Sequence, residues 1–101
     1  MNKNCIGLDK DGISDADAKV LEEQIVKEQK CQVIVYKTKH GFHFILIFNQ
    51  NISKKENFEL RNRYKDCEER VRRSLLRSET PGVPYDTLFS IKDGHWRERV
   101  L

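Results

Sequence analysis

The chain has 101 residues and a mass of 12.0 kDa, the length of one domain and too short for a two-domain enzyme. Lys and Arg number 19 against 16 Asp and Glu, a net charge of +3, which excludes the dense positive charge of a chromatin-type protein. Charged residues make up 35% and apolar residues 38%, so the core is small and an uncovered sheet face would attract a partner.

Cys5 to Leu8 predicts a short strand that runs into the acidic turn Asp9-Lys10-Asp11-Gly12. Ser14 is placed to cap a helix, with Asp15 and Asp17 in the first turn, where the helix dipole favours negative charge. Ala18, Leu21 and Ile25 recur at helical spacing through Lys30. Cys31 to Lys37, with Val33, Ile34 and Val35, predicts a second strand. Thr38 to Gly41 is a hairpin loop, and Phe42 to Phe48 is a third strand and the most apolar stretch. Ser53 and Glu56 have capping-box spacing and open a polar helix whose apolar side is Phe58, Leu60 and Tyr64. A break near Lys65-Asp66 separates a further helical segment to about Arg77, with Cys67, Val71, Leu75 and Leu76 as its apolar side. Glu79 to Pro84 is a loop, Leu88 to Ile91 a last core strand, and Asp93-Gly94 a hairpin signal returning through Trp96 to Val100.

The element order β-α-β-β-α-β is that of a ferredoxin-like or RRM-like α+β domain. It predicts a single domain over 1–101 with a C-terminal hairpin at about 88–101. The antiparallel sheet would have the order 4-1-3-2, with helices on one face and the other face open. The end of the first strand would then lie beside the starts of the third and fourth, gathering Asp9, Asp11, His43 and Asp86. Alternation supports the grouping: Ile6 and Leu8 point to the helices, so Asp9 and Asp11 face the open side. A core side of Phe42, Phe44, Leu46 and Phe48 likewise puts His43 on the open face. Carboxylates at i and i+2 suit a hard cation such as Mg²⁺ or Mn²⁺, Asp86 would be a third ligand, and His43 could contact a phosphate or base. Asp-Lys-Asp-Gly is also an ordinary turn sequence. On the open face the first and third strands would show Gly7, Ile45 and Ile47, with none of the stacking aromatics of an RRM-type RNA binder.

These residues resemble the motifs of the archaeo-eukaryotic primase superfamily, whose catalytic palm is an RRM-like sheet. Asp9-Lys10-Asp11 resembles its acidic pair, Gly41-Phe42-His43 its small-x-His motif, and Tyr85-Asp86 its hydrophobic-Asp motif. The segment from Arg63 to Lys92 is also similar to small primase-like proteins of archaea and their viruses. The resemblance implies a minimal palm that binds nucleotide or nucleic acid, with metal-dependent nucleotidyl or phosphoryl transfer as its chemistry. Asp9, Asp11 and Asp86 would hold the cation. The triphosphate would be held by cations drawn from Lys37, Lys39, Arg77 and Lys92. Members active in primer synthesis carry an additional N-terminal α/β module and often a zinc-binding stem, whereas the sequence here reaches the acidic strand almost directly and shows no zinc pattern.

The rival reading is a non-enzymatic homodimeric module, joined through the open sheet face, that binds nucleic acid or protein and in which the acidic turn is structural. Residues 54–77 carry nine Lys or Arg against five acids. Arg70, Arg72, Arg73 and Arg77 could track phosphates, or form a solvated helix face with pairs such as Glu69–Arg73. No run of 18 apolar residues predicts a membrane span, and no apolar signal segment follows Met1. Cys5, Cys31 and Cys67 form no Cys-x-x-Cys pair, consistent with free thiols, so a cytoplasmic location is expected, in the host cytoplasm for a viral protein.

Overall fold

A computed structural model describes residues 3–88, 91–92 and 95–100, with the backbone alone at 91, 92 and 95. The elements are β1 (Cys5–Asp11), α1 (Asp15–Gln29), β2 (Gln32–Lys37), β3 (Gly41–Ile47), α2 (Lys54–Arg63), α3 (Glu68–Ser78), β4 (Ile91–Lys92), β5 (His95–Trp96) and β6 (Glu98–Arg99). They form an α+β fold, an antiparallel sheet flanked by helices, in a ferredoxin-like or RRM-like arrangement.

Local chemistry sets the element boundaries. The Ser14 side chain accepts the Asp17 amide at 3.1 Å and starts α1. Ser53 and Glu56 form a reciprocal capping box at the start of α2. α2 stops where Lys65 takes a left-handed backbone with φ of 54°. The Lys10 ammonium donates to the Tyr64 and Lys65 carbonyls there, at 3.0 and 2.9 Å, satisfying acceptors that the helix end leaves open. Burial pushes this ammonium below its ordinary pKa, against the opposing pull of Asp66.

β3 lies between β1 and β2, and β6 extends β2 at the far edge, giving the order β1-β3-β2-β6. The 1-3-2 adjacency is as the sequence predicts, but the fourth strand of the sheet joins β2 rather than β1. Of the predicted strand at 88–91, Leu88 lies against Gly7 of β1 without a ladder, and Phe89 and Ser90 lie outside the described residues. Asp93 and Gly94, the predicted hairpin turn, also lie outside them; β4 and β5, which flank that turn, pair with each other in a separate two-stranded sheet.

The core lies on one side of the sheet. Ile6 and Leu8 of β1, Val35 of β2 and Phe42, Phe44 and Leu46 of β3 meet Ala18 and Ile25 of α1 and Tyr64 at the end of α2. Each large side chain of this set contributes about 1.5–3 kcal/mol of burial. α3 departs from its predicted orientation. It buries Ser74, whereas Leu76 is 65% exposed and Leu75 is exposed as well. The reason is polar: the Ser74 hydroxyl accepts from the buried guanidinium of Arg61 at 2.9 Å, which turns that face inward. Among the described residues no helix is long and apolar enough to cross a membrane.

Candidate functional site

The register of the sheet builds the site. Asp9 pairs with His43 across β1 and β3, and His43 pairs with Tyr36 across β3 and β2. All three side chains lie on the face opposite the core, because their neighbours Leu8, Phe44 and Val35 point into it. His43 is 3% exposed, and its Nε2 lies 3.6 Å from Asp9 Oδ1. On its other side Arg97 Nη1 is 3.4 Å from His43 Nδ1. The imidazole thus stands between a guanidinium donor at Nδ1 and a carboxylate at Nε2. Gly41 allows the two strands to approach at this level. A Cβ there would stand 2.0 Å from the Lys10 carbonyl oxygen, so the glycine before Phe42-His43 serves the β1–β3 contact.

A cavity of about 330 Å³ opens at this edge of the sheet. Asp9, Asp11 and His43 line it from the strands, and Arg70, Arg73 and Arg77 line it from α3. The three arginines stand at i, i+3 and i+7, which places them on one helix face. Arg70 is anchored by its neighbours, while Arg73 pairs with Glu69 at 2.6 Å and Arg77 is exposed. Carboxylates, an imidazole and guanidinium groups therefore share one concave surface, a polar arrangement suited to an anionic ligand with or without a cation.

Asp86 is elsewhere. Tyr85 stacks on Phe58 of α2, with ring centroids 5.6 Å apart, and this brings Asp86 down onto Gly7. Its Oδ2 accepts the Gly7 amide at 2.9 Å and the Asn57 side-chain amide at 2.7 Å, and its Oδ1 pairs closely with Arg70 Nη2. The carboxylate is buried and held by three donors, lines a second cavity of about 250 Å³, and is not in the lining of the first. The expected grouping of four residues is thus a grouping of three, because Asp86 neutralises Arg70 and covers the edge of β1. Gly7 makes room for this: a Cβ there would meet Asp86 Oδ1 at 2.9 Å and Leu88 Cδ1 at 2.8 Å.

The other predicted cations separate in the same way. Arg77 lines the cavity. Lys37 points to the core side, over the Phe42 ring at 5.6 Å, and pairs with Asp15 at 3.0 Å. Lys39 is exposed in the hairpin loop and does not line the cavity. The backbone of Lys92 lies in β4, and its side chain lies outside the described part of the chain.

Beneath the cavity is a buried network that the sequence does not announce. Arg61 is fully buried on α2; it donates to Asp66 at 2.8 Å, Asn57 at 3.2 Å and Ser74 at 2.9 Å. Asp66 also accepts the Asp9 amide at 2.8 Å, the Cys67 amide at 2.9 Å and Arg70 Nη1 at 2.5 Å. Arg70 Nη1 in turn donates to the Gly7 carbonyl at 3.0 Å. The one local signal is the break at Lys65-Asp66, where an acid follows a helix end and precedes another helix.

Asp9, Asp11 and Glu69 are the carboxylates that line the cavity. Among the described residues no group of three or more His, Cys, Asp or Glu is arranged to hold a metal ion. Two carboxylates fit Mg²⁺ or Mn²⁺ when ligand phosphate and water complete the shell. The three cysteines are free thiols, and burial pushes those of Cys5 and Cys31 above the ordinary value. No family model matches the chain, and no match is found among curated proteins or among solved structures.

Proposed function

We propose that this domain binds a phosphate-bearing ligand, a nucleotide or a nucleic-acid strand, in the cavity between the β1–β3 edge and α3, in the manner of a minimal primase palm. The observation that carries the reading is the cavity itself, where Asp9, Asp11 and His43 share one concave surface with Arg70, Arg73 and Arg77. Arg73 and Arg77 supply the exposed positive charge, and Arg70, fixed by Asp66 and Asp86, orients the helix that carries them. A cation held by Asp9 and Asp11 would offset phosphate charge, and nucleotidyl or phosphoryl transfer is the activity such a site would support.

The test is a titration with inorganic tripolyphosphate and with a nucleoside triphosphate, each with and without Mn²⁺, followed by amide chemical shifts. Binding is expected to shift the amides of β1, β3 and α3, to weaken with salt, and to fall about tenfold in an Arg73→Ala/Arg77→Ala variant. Mn²⁺ should broaden signals near residues 9 and 11, and Asp9→Asn/Asp11→Asn should abolish that broadening. No response at millimolar ligand would sink the reading. A second copy of the chain is the rival occupant of the open face, where Ile34, Ile45 and Ile47 supply a half-buried aliphatic strip. Sedimentation with and without nucleotide separates the two, since a dimer closed over this face would be dissociated by ligand or would exclude it.

A further inference from the structure

Among the described residues of the sheet, Tyr36 places an aromatic ring on the open face beside the cavity-lining His43, and it is on β2 rather than on β1 or β3. Tyr36 pairs with His43, which pairs with Asp9, so carboxylate, imidazole and phenol form one straight cross-strand row. Two strand spacings separate the ends of that row, roughly 10 Å. At the outer end Arg97 lies over the Tyr36 ring, its guanidinium carbon 4.0 Å from the ring centroid. The segment that carries Arg97 is lightly held. β6 pairs with β2 through two residue pairs, Tyr36–Arg99 and Lys37–Glu98, plus one further bond from the Val100 amide to the Val35 carbonyl.

From this arrangement we infer that Tyr36 and Arg97 form a nucleobase-stacking subsite, with the base sandwiched between the phenol ring and the guanidinium. The inference rests on the phosphate reading of the cavity and extends it. A ligand whose phosphates sit against Arg73 and Arg77 reaches along the row past Asp9 and His43, and its base arrives at Tyr36. Both faces of the sandwich suit any base, because every base presents a π surface to an aromatic ring and to a guanidinium plane. Arg97 has to lift from the ring and give up its contact with His43 Nδ1, and the short β6 ladder limits the further hydrogen bonds that this displacement breaks. The ligand class is therefore one that joins phosphate to a nucleobase, either a free nucleotide or the end of a single strand.

The experiment compares three ligands on the intact chain: inorganic tripolyphosphate, a nucleoside triphosphate, and a short single-stranded oligonucleotide. Tyr36→Leu is expected to weaken the nucleoside triphosphate and the oligonucleotide about tenfold and to leave tripolyphosphate within about twofold. Tyr36→Phe, which keeps the ring, should restore wild-type affinity. In the wild-type complex, nuclear Overhauser contacts should join base protons to the Tyr36 ring, a readout that does not depend on any variant folding. If Tyr36→Leu weakens all three ligands equally, or if the wild-type complex shows no base-to-Tyr36 contact, the subsite is overturned while the phosphate site stands. If tripolyphosphate and nucleotides all fail to bind the wild type, both readings fall together. Tighter binding of the oligonucleotide than of the nucleoside triphosphate would assign the subsite to a strand, and the reverse to a free nucleotide.

Discussion

Asp86 accepts the backbone amide of Gly7 at 2.9 Å, at the edge of β1 where the element order predicts a fourth strand. Asp66 does the same for the Asp9 amide, two residues along, at 2.8 Å. The carbonyls between them are met from the same side, Gly7 by Arg70 and Asp9 by the Cys67 amide at 3.2 Å. Side chains and the start of α3 thus satisfy the Gly7 and Asp9 backbone groups of this edge, a stretch that would otherwise be open to another chain. The acidic residue that sequence geometry assigns to a metal is one of the groups that closes the sheet.

Asp86→Ala is therefore expected to destabilise the domain by about 2–4 kcal/mol, because it takes the acceptor from the buried Gly7 and Asn57 amides and leaves Arg70 with Asp66 as its remaining carboxylate partner. Urea unfolding of the ligand-free protein measures it. A carboxylate crowded into an acidic metal site would behave oppositely, and its removal would raise stability.

Arg61 and Asp66 form a fully buried ion pair. Either Arg61→Ala or Asp66→Ala should cost about 3–5 kcal/mol, since each leaves the partner charged in the interior. The double variant should cost less than the sum, with a coupling of about 1–3 kcal/mol in a double-mutant cycle read by thermal or urea denaturation.

Gly41→Ala would place a methyl group 2.0 Å from the Lys10 carbonyl, a backbone atom that cannot swing aside. The expected cost is about 2 kcal/mol or more. Faster hydrogen exchange should appear at the Gly12 amide, which donates to His40 at 2.9 Å, and along the adjoining β1–β3 ladder. Unchanged exchange at these amides would contradict the close approach of the two strands.

Glu28 accepts from the Tyr64 hydroxyl at 2.8 Å, and this bond, with a smaller pull from Arg63, holds its carboxyl below the ordinary pKa. A lowered folded-state pKa contributes stability that is present above the ordinary carboxylate value and lost as pH falls through the folded value. Tyr64→Phe removes the donor. Its unfolding midpoint should consequently depend less on pH on the acid side than that of the wild type, as followed by thermal melts from pH 6 downward to about pH 3.

Much of the architecture was legible because it is written locally. The Ser14 cap, the Ser53–Glu56 box and the break at Lys65 depend on residues within a turn of one another. The alternation that separates Phe42, Phe44 and Leu46 from His43 follows from the two-residue period of a strand, and it puts His43 on the same face as Asp9. Two features escaped that reasoning. An RRM-type binder places its stacking aromatics on the first and third strands, whereas here Tyr36 stands on β2. The apolar run at Leu75 and Leu76 read as core, but the inward face of α3 is chosen by Ser74 and its bond to Arg61.

The sequence by itself determined the element order, the caps and the side of each strand that faces the helices. The physical reason is that propensity, capping and alternation act between residues a few positions apart. Only the tertiary structure decided which charges are buried and with whom: Asp86 with Arg70, Asp66 with Arg61, and three arginines of α3 turned toward Asp9, Asp11 and His43. A buried charge needs a partner close in space and at no particular distance along the chain, so its assignment waits until the chain has folded.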